Sequence, residues 1–227
     1  MPISLVLASA SPARLRLLRQ SGADPEVVVS SVDEAAVLDA ATRRSGALTA
    51  AGAALLLARA KCEDVAATLT ATPGATRAPA DLVLGCDSIL DVDGQFVGKP
   101  ATPDEAIRRW MHLSGRQATL LTGHWLIDLR GAKPLVGTGR PVRAGLGETA
   151  ATTVRFAHLT EADIRDYVAT GEPLRVAGGF TIDGLGGPFI DGVDGDPHNV
   201  VGLSLPLLRR LIERLGLRWG QLWHQRE

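Results

Sequence analysis

The chain has 227 residues, 45% hydrophobic and 22% charged, an ordinary globular composition with room for one sizeable core or two lobes sharing it. Its 24 Lys and Arg against 25 Asp and Glu leave a formal net charge of −1, so no overall field recruits nucleic acid or an anionic membrane. Any anion binding must come from local clusters.

Leu5–Ala8 reads as a buried strand and Arg14–Gln20 as a helix, with Ser9, Ser11 and Pro12 in the turn between them. The β-branched run Val27–Val32 reads as a second strand ending at Asp33-Glu34. Ala50–Leu69 is rich in alanine and leucine and reads as a helix carrying Lys61, and Thr70–Asp81 is a Pro/Gly/Thr connector. "LVLGCDSILDVDGQFVGKP" follows at residues 82–100, giving a buried strand, a hairpin turn at Asp93-Gly94 and a short return strand. Thr102-Pro103-Asp104-Glu105 is a helix start, with a cap, a proline in the first turn and acids at the positive end. That helix should end near Ser114-Gly115. Ala118–Leu129 and Ala151–His158 read as paired strands around a glycine-rich hairpin end, and Thr160 caps the helix after them. Residues 176–205 are turn-dense, and Pro206–Leu215 is a closing amphipathic helix, after which Trp219 and Trp223 are expected to pack. Interleaved strands and helices define an α/β class.

Cys62 and Cys86 form neither a disulfide framework nor a zinc spacing and read as buried thiols in a reducing compartment. No signal-peptide pattern opens the chain and no apolar stretch is long enough to span a bilayer, so a soluble, cytoplasmic protein is expected. No Gly-Lys-Ser/Thr phosphate loop and no G-x-S-x-G elbow occurs. "DVDGQ" reads as a turn rather than a metal pair, and "DGVDGDPHN" as a tight acidic turn lacking the spacing of a calcium loop.

Three clusters carry chemistry. At the opening turn, backbone N–H groups of a helix N-terminus, the hydroxyls of Ser9 and Ser11 and the planar fork of Arg14 suit an anion. Asp87-Ser88, read as a strand's C-terminal end, is followed by Lys99 after the next turn; the acid could hold a cation or take a proton, and the lysine could balance a phosphate. Asp33-Glu34 and Lys61 form the third. Each cluster alone is equally well explained by caps, turns and solvated side chains.

In order, "LASASPAR", "SVDE", "LARAK", "LGCDSILDVDGQFVGKP", "LSGRQATLLTG", "GEPLRVAGGFTIDGLGGPFIDGVDGD" and "NVVGLSLPLLRRL" resemble the Maf family of nucleoside triphosphate pyrophosphatases. The matches cover most of the chain, with residues 70–81 and 131–149 as the long exceptions. The resemblance implies one domain over residues 1–227, with a long twisted mixed β-sheet flanked by helices and two lobes around a central nucleotide-binding cleft, in a homodimer. It implies hydrolysis of an NTP between its α- and β-phosphates to NMP and pyrophosphate, with Mg²⁺ or Mn²⁺ as cofactor. On the matched positions, Ser9, Ser11 and Arg14 correspond to the triphosphate cradle, and Lys61 and Lys99 to phosphate-contacting lysines. Glu34 corresponds to a metal-binding glutamate, and Asp87 to the catalytic aspartate, a metal ligand and proton acceptor.

The chain departs from the family at Ala13, where many members carry a second arginine. Ala13, Ser88 and Asp183 correspond to positions that differ between pyrimidine-preferring members and those acting on methylated guanine nucleotides, and this trio matches neither pattern. A preference unlike either, or a broad one, is expected. The alternative function is a nucleotide-binding regulator of septum formation acting through a partner, a role associated with the family, although a pure binder would not require Asp87. A nucleic-acid-binding module is disfavoured by the near-zero net charge and the single tyrosine.

Overall fold

The computed structural model describes residues 3–71, 80–130 and 145–223. Among them, strands β1 (Leu5–Ala8), β2 (Glu26–Val27), β3 (Leu82–Val92), β4 (Gln95–Val97), β5 (Gln117–Asp128), β6 (Leu146–Phe156) and β7 (Ile190–Asp194) form one sheet. Its order is β2-β1-β3-β5-β6-β7, with β4 also on β3. The β2–β1–β3 pairs are parallel and the rest antiparallel, so the sheet is mixed, as expected.

β5 accompanies β3 from Leu82 to Asp91. Along the opposite edge β3 has two short partners. β1 ends where Ala8 meets Gly85, and β4 begins its pairing at Leu90 opposite Val97. Residues Cys86–Ile89 lie between them, in a gap of the edge, and the chain leaves β1 beside that gap through Ser9–Ser11. Asp87 therefore stands in the middle of an 11-residue strand rather than at its end, but just past the carboxyl end of its parallel neighbour.

Successive strand residues face opposite ways, and the core divides accordingly. One face is covered by α3 (Ala50–Thr70), which buries Cys62, Val65 and Ala66 against Val6, Val83 and Ile127. α2 (Glu34–Ser45) joins it through Leu38, beside Ala53, Ala54 and Ile89. The other face is split. Leu82, Leu84 and Cys86 pack with α1 (Pro12–Gln20) and α7 (Leu205–Arg214). Leu90, Val92 and Leu120 pack with α4 (Pro103–Leu113) and α5 (Glu161–Ala169), around an aromatic cluster of Trp110, Phe156, Tyr167, Phe180 and Phe189. The gap in β3 lies where these two clusters meet, between Cys86 of the first and Leu90 of the second.

Two glycines let α3 approach the sheet. A Cβ on Gly85 would sit 2.2 Å from the Ala58 carbonyl oxygen, and one on Gly123 2.3 Å from that of Ala54. Gly123 is directly opposite Asp87 in the β3–β5 register. Only hydrogen atoms at both sites allow helix backbone to rest on strand backbone.

Several boundaries differ from the sequence reading. The Val27–Val32 strand shrinks to Glu26–Val27, because it lies at the sheet edge with Val27 and Val29 exposed and little to pack against. The segment after it is helix α2, capped by Asp33, whose side chain accepts from the Ala36 N–H at 3.0 Å. The glycine-rich hairpin end yields its last residues to β6, which starts at Leu146; residues 131–144 of that expectation, and 72–79 of the earlier connector, lie outside the described residues. "DGVDGD" contains β7, with the turn only at Gly195, and α6 (Pro197–Val201) follows. The Asp93-Gly94 turn is as expected: Asp91 accepts from the Gly94 N–H at 2.7 Å. Trp219 packs against the core, whereas Trp223 is more than half exposed while its indole N–H donates to the Ser21 carbonyl. Both cysteines are buried and unpaired, and burial pushes the Cys86 thiol up to about 12.

Candidate active site

The centre of the site is an ammonium held between two carboxylates. Lys61, on the face of α3 lowered onto the sheet, donates to Asp87 Oδ1 and lies 2.7 Å from Glu34 Oε1. Glu34 reaches in from the first turn of α2 and stays half-exposed, while the Lys61 and Asp87 side chains keep only 13% and 12% of their surface. Burial pushes the Asp87 carboxyl above the usual carboxylate range, and the nearby charges of Lys61 and Arg14 do not cancel it. A raised pKa makes this carboxylate a stronger proton acceptor than an exposed one.

Arg14 closes the gap in β3 from the other side. It is buried, and four of its N–H groups are engaged. Nε donates to the Gly202 carbonyl (2.7 Å), Nη1 to Ser9 Oγ (2.9 Å) and the Cys86 carbonyl (2.8 Å), and Nη2 to Ser88 Oγ (2.9 Å). The Cys86 carbonyl is available because the edge there has no strand partner. Arg14 thus ties α1, β3 and the residue that caps the end of α6 together, and its charge stays beside Asp87. Ser11 is the N-cap of α1, accepting from the Arg14 N–H at 3.4 Å, and its own N–H donates to Ser9 Oγ at 3.2 Å. Lys99 is exposed two residues beyond β4, on chain returning antiparallel to β3 toward the gap; none of the hydrogen bonds or ion pairs described joins it to the acids.

A second space opens beside α1. An open cleft of about 610 Å³ is lined by Ala13, Arg16 and Gln20 of α1, by His198 of α6 and by Asp183. Asp183 meets Arg16 across it at 2.9 Å. Of the three positions singled out for selectivity, Ala13 and Asp183 therefore share one cleft. Ser88 does not line it; its hydroxyl lies between Arg14 and Thr122 Oγ1, 2.9 Å away. The sequence reading overlooked Arg16 and His198 here, although Arg16 recurs on the same cationic stretch as Arg14.

The Asp183 segment is held by a residue that the reading also overlooked. Glu172 accepts from Thr181 Oγ1 (2.6 Å), Tyr167 Oη (2.9 Å) and the backbone N–H groups of Leu185 and Gly186 (both 3.1 Å). Partial burial alone would raise its pKa, but these donors hold it below the usual range.

The site fits a divalent cation as far as its donors go. Two hard carboxylate oxygens already converge on a cation, the Lys61 ammonium, and Asp87 and Glu34 each have a second oxygen. No cluster of three or more His, Cys, Asp or Glu side chains suited to a metal occurs among the described residues, so phosphate oxygens would have to complete the coordination, as they commonly do for Mg²⁺. No helix among the described residues is long and apolar enough to cross a membrane.

A mixed sheet flanked by helices, with acids, a lysine and an arginine gathered at a break in its edge, places the chain among α/β proteins equipped to handle anionic ligands. Residues 4–215 match the family described as Maf-like protein, and the chain belongs to the Maf family. It is 53% identical over 219 residues to a protein of Streptomyces coelicolor, covering 96% of this chain and 94% of that one. It is 48% identical to a protein of Mycobacterium ulcerans (96% of each chain) and 48% identical to one of Leifsonia xyli (97% of each). All three relatives bear the name nucleoside triphosphate pyrophosphatase.

Proposed function

We infer that the protein is a nucleoside triphosphate pyrophosphatase that hydrolyses an NTP at the α–β anhydride, releasing NMP and pyrophosphate. The observation that carries this is the Glu34–Lys61–Asp87 assembly at the gap in β3, with Arg14 locked beside it. The relatives' shared name supports it.

In this reading Ser9, Ser11 and Arg14 form the cradle that receives the triphosphate. Asp87 accepts the proton of the attacking water, a role supported by its burial and raised pKa. Lys61 holds Asp87 in place in the free protein and turns its charge toward the phosphates when substrate arrives. Lys99 approaches from the loop after β4, and together the lysines offset charge moving onto the leaving pyrophosphate. A Mg²⁺ or Mn²⁺ held by Glu34 and Asp87 would supply Lewis-acid polarisation and water activation. The base lies in the cleft of Ala13 and Asp183, whose volume is in the range of small-molecule sites. Ala13 leaves room and Asp183 accepts hydrogen bonds from base N–H groups. We place the enzyme in the cytoplasm as a single-domain homodimer with a house-cleaning role, removing non-standard or surplus nucleotides.

The test is pyrophosphate release from a panel of canonical and modified NTPs with Mg²⁺ or Mn²⁺, wild type beside Asp87→Ala. Release by the wild type, lost in the variant, is expected. Binding without turnover across the panel would refute the reading in favour of a regulatory nucleotide-binding protein.

A further inference from the structure

We propose that Glu172 is a positioning residue for nucleotide selection, fixing the segment that presents Asp183 to the cleft; this rests on the cleft being the base site. Glu172 lies in the turn after α5, and its carboxylate takes four hydrogen bonds, three of them from the segment that carries Asp183 into the cleft. Three come from Thr181, Leu185 and Gly186, which flank Asp183 on both sides. The fourth comes from Tyr167, whose ring stacks edge-on with Trp110 at 5.2 Å and with Phe189 at 5.4 Å in the core beside α4 and α5. The carboxylate therefore joins an irregular segment with no strand or helix partner at Asp183 to a rigid aromatic cluster.

The sequence of the segment is fitted to that carboxylate. A Cβ on Gly184 would lie 2.6 Å from Glu172 Oε2, and one on Gly186 2.5 Å from the Tyr167 hydroxyl. Glycine at both positions lets the chain fold around the acid closely enough for two successive backbone N–H groups to reach it. Charge matters as well as shape: an ionised carboxylate accepts every one of these bonds, whereas an amide at the same place would turn donors toward N–H groups. Asp183, held in this way, faces Arg16 across the cleft. An entering base meets an acceptor and a donor whose separation is set from that core. With the segment loosened, Asp183 would no longer be held opposite α1, and selection between bases would weaken before the chemistry at Asp87 did.

The experiment compares wild type, Glu172→Gln, Asp183→Asn and the double variant. The readouts are kcat and KM over an NTP panel, and hydrogen exchange at the Leu185 and Gly186 amides without nucleotide. Glu172→Gln keeps an acceptor for the three bonds that share Oε1 but puts an NH2 against the Leu185 N–H, so it is expected to release the Leu185 amide and raise KM about tenfold for the preferred NTP. It should leave kcat within about threefold and flatten the base profile in the manner of Asp183→Asn. The double variant should add nothing further. Unchanged protection of the Leu185 amide, or a wild-type base profile in an active Glu172→Gln enzyme, overturns the role given to Glu172 alone. Loss of kcat with an unaltered profile does so too, since that is the mark of a general structural defect. A wild type that releases no pyrophosphate from any NTP overturns the pyrophosphatase reading and this one with it.

Discussion

Replacing Gly123 with alanine tests how Lys61 is brought between Asp87 and Glu34. The new methyl carbon would start 2.3 Å from the Ala54 carbonyl oxygen, 2.4 Å from its carbon and 2.5 Å from the Leu55 nitrogen. Ordinary contacts begin near 3.4 Å, so α3 must rise or β5 must sink by about 1 Å. The clashing atoms are backbone, which no rotamer change relieves. Overpacking of this kind costs about 1–3 kcal/mol, and the upper end applies where both partners are main chain. For a chain of this size that is a fall in Tm of about 6–12 °C. Lys61 lies two turns along α3 from Ala54, and Gly123 is the register partner of Asp87. Displacing the helix therefore stretches the contacts of Lys61 with Asp87 and Glu34. Thermal unfolding and pyrophosphate release, measured together, are expected to fall together. Gly98→Ala is the control, since a Cβ there meets nothing within 4 Å. A Gly123→Ala protein with the control's Tm and turnover would refute the argument that close backbone approach seats the lysine.

Arg14→Lys removes the fork that makes four hydrogen bonds and leaves buried acceptors on Ser9, Cys86 and Gly202 unsatisfied; a loss of about 2–4 kcal/mol in chemical denaturation is expected. His124 is buried, accepts the Ser204 N–H on Nε2 at 2.8 Å, and has its pKa lowered to about 4 by burial. Its neutral form favours the native state, so this stability is complete above about pH 6.5 and lost as pH falls through 4. Between pH 7 and 4 the wild type should lose roughly 3 kcal/mol more than His124→Gln, read from denaturation midpoints across that range. Ala13→Arg should redistribute kcat/KM among bases by narrowing the cleft; an unchanged profile removes Ala13 from the selection argument.

A complete capping signal made α4 legible from the sequence, because such signals are local: Thr102 accepts from the N–H three residues on, and the helix begins where the residues indicate. α1 begins at Pro12, two residues before the Arg14 start read from the sequence, because Ser11 serves as its cap and accepts from the Arg14 N–H. Strands with apolar runs were legible because their signal, too, is local. What failed depended on distant partners. Val27–Val32 has the composition of a strand but lies where there is little sheet to join, and α2 is largely exposed and so carries a weak apolar stripe. The stretch from Ala177 to Asp194 takes its shape from Glu172 and an aromatic cluster drawn from α4, α5 and β6. The acids and lysines of the site were visible as residues, and the motif resemblance grouped them. The convergence of Glu34 and Asp87 on the Lys61 ammonium was not visible, because it depends on how closely α3 can lie. Gly85 and Gly123 carried that information, since isolated glycines inside strands mark close approach.

Neighbouring residues of β3 point to opposite sides of the sheet, so Asp87 meets α3 while Ser88 meets α1. If the proposed roles hold, proton transfer at Asp87 belongs to one side of the strand and contact with the base to the other. Substitutions around Ala13 and Asp183 could then explore new nucleotides while Asp87, Glu34 and Lys61, gathered on the α3 side, remain undisturbed.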